Sequence, residues 1–344
     1  MVVLKHPDRR VFLALSTGAL IKIANQWASI EPQRLSGVLN GRRVDAALLA
    51  WLESRADGLR ALTNTNAPEC TELVHALLRT TIGLIDKATY DHTTEGRLHQ
   101  VAASAAQCVG WLHFDQGEYA AAQRHWIGAL HAAHTADNRD LDAGILTDFA
   151  YFATWLTPPP VMTVSLLERA HSRTTSPAAR ALLHLRRASA LATLGGASPT
   201  SRALIAAEHD LERAQPGTTP SWAAWVSPAD LSIDAGRCWL TLGKPQRAEQ
   251  SLSDGLRMLT SSRQRTRSLV LAYRAESAMG RRNFEAAATD ARSALDTALT
   301  TDASRCIKLV DDAVKRITSR RSHPAVQNLH AYVRIVIPGK PSRR

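Results

Sequence analysis

An all-α helical-repeat solenoid, an α-α superhelix, is the fold class the sequence predicts, and three observations carry it. Small and large residues recur with one phasing: Gly110-Trp111, Gly117, Ala122, Trp126 and Ala129-Leu130 are followed by Ala235-Gly236, Trp239, Leu242-Gly243, Ala248 and Leu252, and a third time by Ala275, Phe284, Ala287 and Ala294. Recurrence of this kind marks stacked helix-turn-helix units, in which a small residue lets two helices cross and a large one fills the groove beside them. Runs such as 101–106 and 178–194 are rich in Ala, Leu and Arg, which favour helix. Aromatic residues are only 5% of the 344, too few for a strand-rich fold.

The N-terminal segment, 1–43, reads as a first helix and linker. Arg9-Arg10-Val11-Phe12-Leu13 and the apolar residues to Ile21 have the form of a twin-arginine export signal. Against it, Asp8 stands where Ser or Thr is usual, Lys22 cuts the apolar run, and no A-x-A cleavage site follows; the competing reading is an amphipathic helix packed on the repeats. Leu35-Ser36-Gly37-Val38-Leu39-Asn40-Gly41-Arg42-Arg43 has the look of the recognition end of a helix-turn-helix unit, but too little chain precedes it to build the core such a reader needs. It is expected to be a linker into the helix at 44–62, where Leu48, Leu52, Leu59 and Leu62 share a face. The polar residues 63–68 end that helix.

The repeat domain spans 44–333. After a long helix at 69–90, the clearest repeat pairs 97–115 with 119–135 across the Gly117 turn, and 141–156 pairs with 164–171 across Pro158-Pro159-Pro160. Ser176-Pro177 opens a helix at 178–194 and Ser227-Pro228 one at 229–241. Serine there is expected to cap free amides while proline takes the first turn, where its missing N–H costs nothing; Asp230 completes a capping box with Ser227. The loop at 215–220 is a hinge candidate, with Trp222 and Trp225 expected to pin the junction by packing.

The net charge of +11 is concentrated at one end. Residues 313–344 hold eight basic side chains (Lys315, Arg316, Arg320, Arg321, Arg334, Lys340, Arg343, Arg344) and no acid, which leaves three net charges for the other 312 residues. The last part, 334–344, is expected to be a basic flexible tail, able to attract phosphate backbones without reading sequence. Cys70, Cys108, Cys238 and Cys306 lie far apart in helical patterns and read as core residues of a reducing compartment. His131 and His134 share a helix face, but no carboxylate or thiol accompanies them at ligand spacing. No phosphate loop, dinucleotide fingerprint or nucleophile elbow occurs, so neither an enzyme nor a metal or other cofactor is expected. No stretch reaches the roughly 18 apolar residues of a membrane span.

The repeat phasing resembles the tetratricopeptide repeat. Gly41-Arg42-Arg43-Val44-Asp45, the proline-rich turn, Trp222-Ala223-Ala224-Trp225-Val226-Ser227-Pro228-Ala229-Asp230 and Ala235-Gly236-Arg237-Cys238-Trp239-Leu240-Thr241-Leu242-Gly243-Lys244-Pro245 together resemble the tetratricopeptide-like (TPR-like) C-terminal region of actinobacterial Xre-type helix-turn-helix transcriptional regulators. The resemblance covers about residues 8–317. It implies a sensory or dimerising module that stands behind an N-terminal DNA-binding domain, a domain this chain is expected to lack. Residues 9–13 also resemble the link after that domain, which favours a cytoplasmic protein over an exported one.

The expected function is therefore a regulatory interaction module. It would bind a protein or peptide partner, a second copy of the chain, or a small-molecule signal in a concave groove lined by the first helix of each repeat. Specific DNA binding by this chain alone is not expected. The alternatives are a twin-arginine-exported scaffold of the same fold and a non-specific nucleic-acid binder acting through the basic tail. Counting from Gly117 and Gly243 as matching turns, the groove candidates are Gln107, Trp111 and Phe114, then Phe152 and Trp155, then Arg237, then Glu276. The competing role for the aromatic ones is packing between adjacent repeats.

Overall fold

The structure, a computed structural model, describes residues 38, 41, 43–65, 70–153, 160–215, 217–301, 304–318 and 323–337. These form fourteen α-helices: α1 (Ala46–Thr65), α2 (Cys70–Lys87), α3 (His92–Asp115), α4 (Tyr119–Thr135), α5 (Arg139–Ala153), α6 (Pro160–His171), α7 (Pro177–Thr193), α8 (Ala197–Glu212), α9 (Pro228–Thr241), α10 (Pro245–Met258), α11 (Gln264–Gly280), α12 (Phe284–Thr300), α13 (Ser304–Thr318) and α14 (Pro324–Val336). The fold is all-α; among the described residues the nearest thing to a strand is one isolated bridge between Arg43 and Thr89. No helix among them is long and apolar enough to cross a membrane.

The described residues divide into two compact units, one from Met1–Leu112 with Arg124–Asn138, the other from His113–Gln123 with Arg139–Arg344. In the first unit, α3 and α4 cross where the phasing predicts. A Cβ on Gly110 would overlap the indole of Trp126, which is fully enclosed and donates from Nε1 to the Gln107 carbonyl at 3.2 Å. Glycine is required because the indole lies where a side chain would begin. Polar ties join α1 to α3: Arg97 makes a forked bond to Glu53 at 2.6 and 2.8 Å, and Arg60 donates to the Ser104 hydroxyl at 2.7 Å.

The second unit is built of successive helix pairs, α7 with α8, α9 with α10 and α11 with α12, while first helices also pack on one another, α7 on α9 and α9 on α11. At the α9/α10 crossing a Cβ on Gly236 would meet Leu252 Cγ at 2.5 Å. Ala275, Ala287 and Ala294 are likewise enclosed at the α11/α12 crossing. Gly117 and Gly243 make their turns with φ of +80° and +67°, a region open to glycine at little cost. The third copy makes the same turn without glycine: Arg282 takes φ +59°, and Asn283 caps α12 by accepting from the Ala286 amide at 3.1 Å.

Of the two serine-proline starts, Ser227 forms the full capping box with Asp230, whereas Ser176 makes no side-chain cap on α7. Its hydroxyl is enclosed without a partner among the described residues, so proline at the first turn is what opens that helix. Trp222 pins the 215–220 junction as expected. It packs on Gly144, where a Cβ would lie 2.6 Å from the ring, and its carbonyl accepts from Trp225 Nε1 at 2.8 Å.

The stretch expected as a tail from 334 begins inside α14, whose apolar residues Val326 and Leu329 are buried. Lys315 and Arg316, two of the eight basic residues, are engaged by Asp311 at 2.5 Å and by Glu276. The twin-arginine motif lies outside the described residues, as does most of the segment 35–43.

Candidate functional site

In the second unit, four consecutive first helices send polar and aromatic side chains to one place. Asp234 on α9 is clamped by two guanidinium groups: Arg186 on α7 donates to Oδ2 at 3.1 Å and Arg237, one turn further along α9, to Oδ1 at 3.0 Å. Tyr151 on α5 lies under both arginines, with ring centroid distances of 4.3 Å to Arg186 and 5.6 Å to Arg237. Tyr273 on α11 faces Arg237 from the other side at 5.3 Å. Beside this group Arg263 makes a forked bond to Asp230 at 2.7 and 2.8 Å, and Trp225 stands between Arg186 and Arg263, 5.8 and 5.9 Å from them.

Local sequence explains the placement. Asp234 and Arg237 are three apart, hence on one face of α9, and that face is turned to α7 and α11. Arg186 rises from an Ala- and Leu-rich stretch of α7, so its charge reaches inward among small neighbours and needs Asp234 to be tolerated there. Burial works against the Arg237 cation, but Tyr273, Tyr151 and Asp234 outweigh it and hold the pKa well above the ordinary value. Arg237 is therefore charged at every physiological pH. The adjacent Cys238 thiol is pushed up to about 12, chiefly by burial, and stays protonated.

Three guanidinium groups and two carboxylates are gathered here, largely buried and walled by three aromatic rings. Such a place can take a carboxylate in the planar, forked geometry arginine favours, and it can stack a planar group on its rings.

Four of the sequence candidates that are among the described residues belong to this unit. Phe114 and Phe152 are brought together, 6.0 Å apart edge to face, and Phe114 also meets Tyr151 at 5.9 Å, so both lie next to the Arg237 cluster. The expectation placed them on the exposed side of their helices; the structure buries them, at 0% and 6% exposure, because the rings fill the space between successive first helices. Glu276 on α11 accepts from Arg316 on α13. Arg237 is the candidate at its centre.

Gln107 and Trp111 belong to the first unit. Gln107 is buried too, at 2%, accepting from Arg60 at 2.8 Å, because α3 turns that face to α1. Trp111 is half-buried, edge-on to Trp126 with centroids 5.5 Å apart. Trp155 lies outside the described residues.

Tyr151, Arg186, Asp234 and Tyr273 were not singled out from the sequence. One signal was available: a charge inside an otherwise apolar first helix, as at Arg186, must find a partner on a neighbour.

No protein-family model matches the chain, and no curated protein matches it in sequence. Among solved structures, a Rap protein complexed with Competence and Sporulation Factor is similar with a TM-score of 0.50 at 10% identity, over 83% of this chain and 91% of that one. The APC/C hetero-tetramer Cut9-Hcn1 is similar over 92% of this chain and 60% of that one at 14% identity, with a TM-score of 0.39. The likeness concerns the fold, which is a tetratricopeptide-like helical repeat.

Proposed function

We propose that the chain is the regulatory module of a transcriptional regulator, and that it binds a peptide or protein segment bearing a carboxylate at the first-helix cluster around Arg237. The observation that carries this reading is the Arg186–Asp234–Arg237 bridge between Tyr151 and Tyr273. It gathers residues from four repeats at one point. An incoming carboxylate would share the guanidinium donors with Asp234, while the rings receive neighbouring side chains. The Rap protein of like fold is a complex with Competence and Sporulation Factor, which supports reading such a fold as a scaffold for partners.

The test is a phage-displayed peptide library panned against the full chain and against Arg237→Gln, with melting curves to show that the variant is folded. The expected result is enrichment of sequences with Asp, Glu or a free C-terminus on the wild-type chain and loss of that enrichment in the variant. An enriched set that a folded Arg237→Gln still binds would overturn the proposal.

A further inference from the structure

A cleft of about 140 Å³ opens between α6 and α7, lined by Leu167, Glu168, His171, Leu183, His184 and Arg187. Leu167 and Leu183 are buried and give it an apolar side. The imidazoles of His171 and His184 face each other with centroids 5.2 Å apart. Their polar neighbours are loosely paired. Asp210 on α8 lies 3.5 Å from His184 Nε2 and Glu168 lies 3.8 Å from Arg187 Nη2, both beyond the usual length of a hydrogen bond. Arg187 Nε is enclosed with no hydrogen-bond partner among the described residues. The cleft belongs to no part of the Arg237 cluster.

We propose that this cleft binds a small oxyanion of the phosphate or sulfate class, and that His171 and His184 take up protons from solvent as it binds. The volume suits it: at about 30 Å³ per water the cleft has room for four or five waters, comparable with the five heavy atoms of a tetrahedral oxyanion. The charges suit it as well. With both rings neutral, Arg180 and Arg187 on α7 balance Glu168 on α6 and Asp210 on α8. Of the carboxylates on the other packed helices, Asp142 on α5 accepts from Arg173 at 2.9 Å and Asp234 on α9 is held by Arg186 and Arg237.

A neutral imidazole offers an anion one donor and one repelling acceptor; a protonated one offers two donors. Two protons therefore turn a balanced cleft into one with two positive charges, the complement of a dianion. Without the anion the protonated state is unfavourable. Burial first, and then Arg180 for His171 and the facing His171 for His184, hold both rings below the ordinary value of 6.5. An oxyanion between them removes that repulsion.

The test uses the full chain and sodium sulfate, against sodium chloride at equal ionic strength. Sulfate keeps its charge across the range, so any change with pH belongs to the protein. Calorimetric titration at pH 6 in buffers of different ionisation enthalpy is expected to show binding with proton uptake, at least tenfold tighter than at pH 8 and lost in His171→Gln with His184→Gln. Sulfate also stabilises proteins generally by exclusion from their surface; a sulfate effect equal in wild type and variant would contradict the site. If the double variant does not fold, imidazole resonances of the wild-type chain decide. Sulfate is expected to raise the titration midpoints of His171 and His184, and unchanged midpoints overturn the proposal.

Discussion

Gly236 shows how much rests on a missing methyl group. Leu252 Cγ would lie 2.5 Å from a Cβ at that position and the Ala248 carbonyl 3.2 Å away, so even alanine must push α9 and α10 apart. Gly236→Ala is expected to cost about 1 to 3 kcal/mol, the usual range for overpacking a close contact, and Gly236→Leu more; thermal unfolding measures both. Serine at a helix start gives a second contrast. Ser227 accepts from the Asp230 amide, while Asp230 returns a bond to the Ser227 amide at 3.1 Å and takes both arms of Arg263. Ser227→Ala should therefore lose about 0.5 to 2 kcal/mol. Ser176 caps nothing on α7, and Ser176→Ala should stay within about 0.5 kcal/mol of wild type. Equal losses in chemical denaturation would show that the two starts do not differ.

Whole helices were more legible than their meetings. Periodicity and turn residues place α4 with both ends correct and α9 within a residue, because Gly117 at one start and Ser227-Pro228 at the other are local signals. α8 was not singled out: it starts on Gly196 with Pro199 close behind, and two such residues read more readily as a loop. α7 ends at the Gly195 turn, φ +77°, which shares its conformation with the Gly243 turn. Of the site, Arg237 was reached by counting back from Gly243, but its partners were not. Arg186 and Asp234 are 48 residues apart, and nothing in a helical period says which charges on two helices will face. The Trp222 junction is intermediate: the residue was foreseen as a pin, its seat on Gly144 was not. Trp222→Ala should cost about 3 to 5 kcal/mol, as large aromatic truncations in a core do, and should loosen α5 first. Hydrogen exchange in α5 that stays as slow as in wild type would show that Trp222 does not pin it.

At the scale of the molecule, the paired imidazoles of His171 and His184 couple stability to pH. Both are held below the ordinary value of 6.5, by burial before any other cause. As pH falls from that value toward the lowered ones, the unfolded chain binds protons that the folded chain does not, so stability declines. Their contribution is complete above about pH 6.5 and is lost on acidification. His171→Gln with His184→Gln should flatten the decline between pH 7 and pH 5 in denaturant titrations; an unaltered slope would place the acid sensitivity elsewhere.

The claim that partners bind at the meeting of first helices is tested most directly by hydrogen–deuterium exchange on the full chain, with and without a saturating peptide from the library selection. The predicted result is slowed exchange in α5, α7, α9 and α11 around Tyr151, Arg186, Asp234, Arg237 and Tyr273, and its loss in folded Arg237→Gln. Protection confined to the second helices α8, α10 and α12, with the first helices unchanged, would contradict it.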